Sequence, residues 1–151
     1  MCMKKLYLLI IAACFSLISC DIETLDNGDL DGLWQLRTIE KIKTSEQTDG
    51  RQDAVRWSFQ ADLLMIAAET NLPFYEIICR FKHEGQTLQV SDPHFSGRFN
   101  ADVNDDPSVS DPADLKIYGL YKLNETFKVE KLKGDNMVLE SDSVRLHFKK
   151  Y

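Results

Sequence analysis

Beyond its first twenty residues the chain holds a single cysteine, Cys79, so no disulfide can form within that part. The other three of its four cysteines (Cys2, Cys14 and Cys20) lie at the N-terminus. Glycine and proline are sparse, at seven and four. None of the seven glycines has the spacing of a phosphate-cradling loop, and no Gly-x-Ser-x-Gly frame presents a nucleophile. The three histidines, His83, His94 and His147, have neither the i, i+4 nor the Cys-x-x-Cys neighbourhood of a zinc site. Positive charge is in deficit. Eighteen Lys and Arg stand against 24 Asp and Glu, a net charge of −6. Nucleic-acid binders need clustered Lys and Arg to neutralise phosphates, so that class is excluded. No apolar run approaches the roughly 20 residues of a membrane-spanning helix. Past the N-terminus no stretch repeats with helical period.

What is present begins at the N-terminus. Lys4 and Lys5 lead into an apolar run from Leu6 to Ile18, which ends at Leu17-Ile18-Ser19-Cys20. A basic start, a short apolar core and a small residue before a cut form a secretory signal, residues 1–19. Ile18-Ser19-Cys20 resembles the lipobox of bacterial lipoproteins. That resemblance implies a diacylated Cys20 as the first mature residue and a chain held at a bacterial envelope membrane, the outer membrane being the expected one. Two acyl chains suffice for stable anchoring. Loss of Lys4 and Lys5 takes the net charge from −6 to −8. Residues 20–32 carry five acids and no base, and read as an acidic tether.

From Leu33 to Tyr151 the pattern turns to period two, the mark of half-buried strands. Val55, Trp57, Phe59, Ala61, Leu63, Met65 and Ala67 are expected on one face of a long strand. Tyr75, Ile77, Cys79, Phe81 and His83 share a face of the next, and Glu84-Gly85 reads as a hairpin turn before Leu88 and Val90. Leu115–Tyr121 reads as a strand with a mid-strand glycine. Phe127 and Val129, then Met137 and Leu139, then Val144, Leu146 and Phe148 supply three more. Strands joined by short turns predict an all-β antiparallel meander of about eight strands. Closing it into a barrel removes both exposed edges. Residues 92–114, with six aspartates and three of the four prolines, break the order as a long acidic loop with the character of a lid.

The first strand opens Gly32-Leu33-Trp34. Gly-x-Trp at this place resembles the hallmark of lipocalins and the wider calycin group. The C-terminal run Phe127–Leu132, Asn136–Leu139 and Leu146–Lys150 is similar to that of bacterial lipocalin-like lipoproteins. The resemblance implies a lipocalin-like barrel in which Trp34 plugs the closed end and a basic residue near the last strand lies across it. Arg145 is the nearest candidate. Alternation puts Arg145 opposite Val144, Leu146 and Phe148, which leaves Lys149 or Lys150 as alternatives.

The chemistry expected is binding and not catalysis, with no cofactor and no metal. Asp102-Val103-Asn104-Asp105-Asp106-Pro107 starts like a calcium loop, but Pro107 replaces the required glycine and Ala113 the terminal glutamate. Cys79 among apolar neighbours reads as packing. Trp57, Phe59, Met65, Tyr75, Ile77 and Phe81 are the predicted lining of a site for a small apolar or amphipathic ligand. The alternative is a barrel filled by these same side chains. It would act through its outside on an envelope protein or polysaccharide. Charge asymmetry suits that alternative. Residues 21–114 carry 8 basic and 19 acidic groups (−11), whereas residues 115–151 carry 8 and 5 (+3).

Overall fold

A computed structural model of the chain describes residues 26–69, 76–97 and 106–151. Among the described residues nine strands form one antiparallel sheet: β1 (Gly32–Lys41), β2 (Gln47–Asp49), β3 (Arg56–Gln60), β4 (Leu63–Ala67), β5 (Glu76–Glu84), β6 (Thr87–Phe95), β7 (Glu125–Lys133), β8 (Asn136–Glu140) and β9 (Val144–Lys150). From β3 to β9 each strand pairs with the next, and β9 returns to β1 along its length. The first half of β1 also pairs with β3, which closes the ring. Short β2 pairs only with the far half of β1, so the other eight strands make the barrel. The expected antiparallel meander of about eight strands, closed into a barrel, is the fold.

Alternation fills the interior. Trp57, Leu64, Ile66, Ile77, Leu88, Phe127, Met137, Leu139 and Leu146 are fully buried, while their sequence neighbours in the same strands are more exposed. Three bulges adjust the ring, at Arg37 in β1, at Asp92-Pro93 in β6 and at Glu130 in β7. A bulge shifts inward parity by one residue, so Leu36 and Ile39 both reach the core on either side of Arg37.

Two expectations are corrected. Residues 54–68 are not one strand. Gln60 pairs with Leu63, so Ala61-Asp62 is a hairpin turn between β3 and β4. The inward set therefore runs Val55, Trp57 and Phe59, then Leu64, Ile66 and Ala68, and Leu63 and Met65 face outward. Ala61 sits at φ 55, a left-handed conformation in which glycine is at home and a Cβ is strained. Asn27 Nδ2 donates to the Ala61 carbonyl at 3.0 Å and holds the turn. Ala61→Gly is expected to stabilise by about 0.5–1 kcal/mol, the relief of strain exceeding the added freedom of the unfolded chain. A lowered urea midpoint would count against a strained turn.

Leu115–Tyr121 is not a strand either. Pro112–Tyr118 is a 3-10 helix, capped at its start by the Asp111 side chain on the Ala113 N–H and at its end by left-handed Gly119 (φ 90). A Cβ on Gly119 would lie 3.3 Å from Leu146 Cδ1, so the glycine also lets this plug helix sit close to the barrel wall. Residues 28–30, expected within the tether, form a 3-10 turn whose Leu30 is fully buried. Of the acidic segment 92–114, the start belongs to β6, Val109 is buried and the end enters the plug helix.

Candidate functional site

The barrel interior holds four of the six predicted lining residues together. Trp57 is fully buried, with its ring 5.0 Å from that of Phe148, 6.1 Å from Phe127 and 6.2 Å from Phe59. Phe59 meets Phe81 edge-on at 5.0 Å. Ile77 is buried on β5, the strand that also carries Phe81. These are contact distances for paired rings. Trp57 on β3 and Phe127 on β7 meet across the barrel, while the other contacts join rings on the same strand or on strands two places apart. Met65 lies on the outer face opposite Ile78, because the Ala61-Asp62 turn reverses parity. Tyr75 lies outside the described residues.

Both ends of this interior are stoppered. At one end Trp57 Nε1 donates to the Tyr118 carbonyl at 2.9 Å, tying the plug helix to β3. Leu115, Tyr118 and Leu120 are buried there. At the other end Trp34 is fully buried and its Nε1 donates to the Leu30 carbonyl at 2.8 Å. Lys150 Nζ stands 5.0 Å from the centre of the Trp34 ring and donates to the Asp29 carbonyl at 3.0 Å. Of the three basic residues considered for this end, Arg145, Lys149 and Lys150, it is Lys150 that lies against the Trp34 ring. Lys150 continues the inward parity of Val144, Leu146 and Phe148, whereas Arg145 points out and binds Glu140 (Nε to Oε2, 2.8 Å) and Glu40 (3.4 Å). Gly32 completes this end. A Cβ there would come within 2.8 Å of Lys150 Cε, and its φ of 116 suits glycine alone.

Few polar groups enter the core. Glu125 is 1% exposed; its Oε2 accepts from the Tyr121 N–H at 2.7 Å and its Oε1 has no partner among the described residues. The residue was legible by parity with Phe127 and Val129, but a strand's first position is easily taken for a turn. His83 Nε2 is likewise buried without a partner among the described residues. Burial, with a smaller contribution from Asp92, pushes the Cys79 thiol up to about 12, so it stays protonated and unreactive at neutral pH. Among the described residues no three His, Cys, Asp or Glu gather as a metal site. Most of the calcium-like run lies outside them.

His94 fastens the segment that follows β6. Its ring bonds the Asp106 carbonyl through Nδ1 (2.9 Å) and Asp92 through Nε2 (3.0 Å), and these two bonds raise its pKa above 6.5. A raised folded pKa adds stability that is full below the unfolded value and is lost as pH rises through the folded one. Wild type is therefore expected to lose a small increment relative to His94→Asn between pH 5 and 8. The site is solvated, so the increment is under about 1 kcal/mol. Equal melting differences at both pH values would refute this.

Outside the barrel, register sorts the charges into rows. Lys128, Glu140, Arg145 and Glu40 align across β7, β8, β9 and β1, and their charges offset. The next row is Lys131, Val138, His147 and Thr38, and the one after it is Lys133, Asn136, Lys149 and Gln35. Three acids face these rows and Arg37 of the β1 bulge: Asp135, which pairs with Lys149, Glu40, 3.9 Å from His147 Nε2, and Asp49, whose carboxyl Arg37 helps to hold below its usual value. Pairing between distant strands makes this face, and along the chain it is marked only by the excess of base over acid in residues 115–151.

The sequence profile of the lipocalin-like domain family matches residues 13–151. A lipocalin-like protein from Bacteroides uniformis superposes with a TM-score of 0.56 at 24% identity, covering 82% of this chain and 100% of its own. An uncharacterized protein from Bacteroides eggerthii gives 0.54 at 20%, covering 81% and 99%. At these identities the two structures share the fold. No curated protein matches the chain.

Proposed function

We propose that this chain, which belongs to the lipocalin-like domain family, is a lipid-anchored envelope protein whose filled barrel works through its outer surface as a binding module. The observation that carries the reading is the ring cluster of Trp57, Phe59, Phe81, Phe127 and Phe148, which takes the place a ligand would occupy. An eight-stranded barrel is just wide enough to be filled by side chains or to hold one small ligand, and the ring contacts support the first. Supporting the anchor are Lys4-Lys5, the apolar run to Ile18 and Cys20, with its thiol as the acylated group.

A second reading keeps a small apolar or amphipathic ligand inside the barrel. It is favoured by Glu125 Oε1 and His83 Nε2, two buried polar atoms that a ligand could satisfy. Native mass spectrometry of the gently purified protein separates the two readings. The filled barrel gives the bare protein mass before and after denaturation. An excess mass that vanishes on denaturation would replace it with the ligand-carrying reading. The anchor is tested by Cys20→Ser, expected to lose acyl label and partition out of the detergent phase. Retention in the membrane without the thiol would refute it.

A further inference from the structure

Outward parity gathers apolar side chains on one wall of the barrel. Leu33 on β1 pairs with Ser58 on β3, Ser58 with Met65 on β4, and Met65 with Ile78 on β5, so the four share one outer row. Tyr151 extends the row, because its N–H donates to the Leu33 carbonyl at 3.0 Å and it follows inward-facing Lys150. Leu63 stands two residues before Met65 on the same face. Leu33, Leu63 and Tyr151 are 38%, 39% and 72% exposed, and Met65 and Ile78 are partly so. Among the described residues one other large hydrophobic, Ile42, is as exposed as these, and it follows the far end of β1. Apolar side chains gathered on one wall and rimmed by polar ones mark a contact surface.

We propose that this wall lies against the membrane to which Cys20 anchors the chain, with Leu33, Leu63, Met65, Ile78 and Tyr151 dipping into the interface of electrically neutral lipid. The inference rests on the anchored reading above. Three observations select lipid as the occupant. First, the anchor leaves the barrel at this wall. Asn27 is tied to the Ala61 carbonyl, in the turn that leads into Leu63, and to the carboxylate of Asp31, two residues before Leu33. Residues 21–25 alone separate Cys20 from Asp26. Six extended steps of chain reach about 20 Å, so the acyl chains hold this end of the barrel close to the bilayer.

Second, charge does not drive the contact. The rows beside the apolar one carry ion pairs: Arg56 with Glu69 (2.7 Å), Arg80 with Asp62, His94 with Asp92 (3.0 Å) and Lys149 with Asp135. The remaining acids nearby, Asp26, Asp29 and Asp31 where the chain leaves and Asp106 beside His94, would repel anionic headgroups. Neutral lipid accepts apolar side chains with no charge partner, and Tyr151 has the apolar ring and polar tip that suit the headgroup level.

Third, five side chains fall far short of the roughly 20–30 residues a side of a stable protein interface. An anchored chain needs no more, because the anchor makes the second contact intramolecular. Such a wall orients the barrel without holding it at the membrane alone, so Cys20→Ser is still expected to leave the detergent phase. The outer face of β7 and β8, across the barrel, then points away from the bilayer.

The acylated chain would be reconstituted into phosphatidylcholine vesicles with a spin label on Met65→Cys or, separately, on Val138→Cys in the opposite wall. Cys79 is buried with its thiol pushed up to about 12, so it takes no label at neutral pH. Flotation with the vesicles reports the anchor, and collision with an aqueous nickel complex reports the placement. Each label is compared with the same label on the Cys20→Ser chain in buffer, which cancels shielding by the barrel itself. Vesicles are expected to lower collision about fivefold at Met65→Cys and less than about twofold at Val138→Cys. The protection should persist from 0.1 to 1 M salt, as an apolar contact requires. Leu33→Asp combined with Leu63→Asp should remove the protection and leave flotation intact. If that pair melts below the wild type, Leu63→Ser, at an exposed position, takes its place.

A chain that floats while the label on Met65→Cys stays as open to the nickel complex as in buffer would overturn the placement and leave the anchor standing. So would equal protection of both labels, protection that salt removes, or protection that survives the aspartate pair. Protection in buffer that grows with protein concentration would identify a second copy as the occupant and overturn it too. A chain that does not float overturns the anchor, and the placement with it.

Discussion

Trp57→Ala is expected to cost about 3–5 kcal/mol of folding stability, the range for removing a large aromatic from a packed core. Against a total of about 5–15 kcal/mol for a domain, that is enough to unfold much of the protein at moderate denaturant. Two losses add together. The rings of Phe59, Phe127 and Phe148 lose their common neighbour, and the Tyr118 carbonyl loses its donor at 2.9 Å. The second loss loosens the plug helix. Trp57→Phe separates the two contributions, since it keeps a ring but leaves the carbonyl unpaired. It should cost less than the alanine variant and still about 1–3 kcal/mol. Urea unfolding followed by far-UV circular dichroism gives both numbers. A cost below about 1 kcal/mol for Trp57→Ala would mean the ring lines free space, and the ligand-carrying barrel would then be the better account.

The same tryptophan shows how far a sequence of this kind can be read. Period-two alternation placed Trp57, Phe59, Ile77 and Phe81 inside, and the structure has them there. It failed at Met65 because Ala61-Asp62 turns the chain without glycine, asparagine or proline, so the alternation ran through a hairpin unmarked. It failed at Leu115–Tyr121 for a related reason. In that segment Leu115, Tyr118 and Leu120 are buried, a mixed three-and-two spacing that fits a 3-10 turn running into extended chain. The preceding Asp111-Pro112 is a helix start that the run of acids obscured. The outer basic rows could not be read at all. Lys131 and Thr38 are 93 residues apart by number, and only barrel closure brings them into one row. Whether the interior is filled also depends on rotamers and ring angles, which alternation does not specify.

Trp34 and Lys150 make the last test, because they decide which basic residue stoppers the barrel. Trp34→Ala is expected to cost about 3–5 kcal/mol and to free the turn at Gly28–Leu30, whose Leu30 carbonyl it holds. Lys150→Ala removes a cation 5.0 Å from the ring and a donor to the Asp29 carbonyl. A cation over an aromatic face contributes about 0.5–2 kcal/mol depending on how far it is desolvated. Combining each with Trp34→Phe, in a double-mutant cycle, should show coupling of about 0.5–1.5 kcal/mol for Lys150 and none for Arg145. Arg145→Ala by itself should cost less than about 1 kcal/mol, since its carboxylate partners lie on the solvated outer face. The opposite pattern, with Arg145 coupled and Lys150 not, would assign the stopper to the wrong strand face. The glycine of Gly-x-Trp follows from the same geometry. The Lys150 stem reaches Trp34 by crossing the Gly32 Cα, where a methyl group would meet Cε at 2.8 Å. Gly32→Ala should therefore weaken the Lys150 contact as well as strain its own backbone, and its cost should shrink when Lys150 is already alanine.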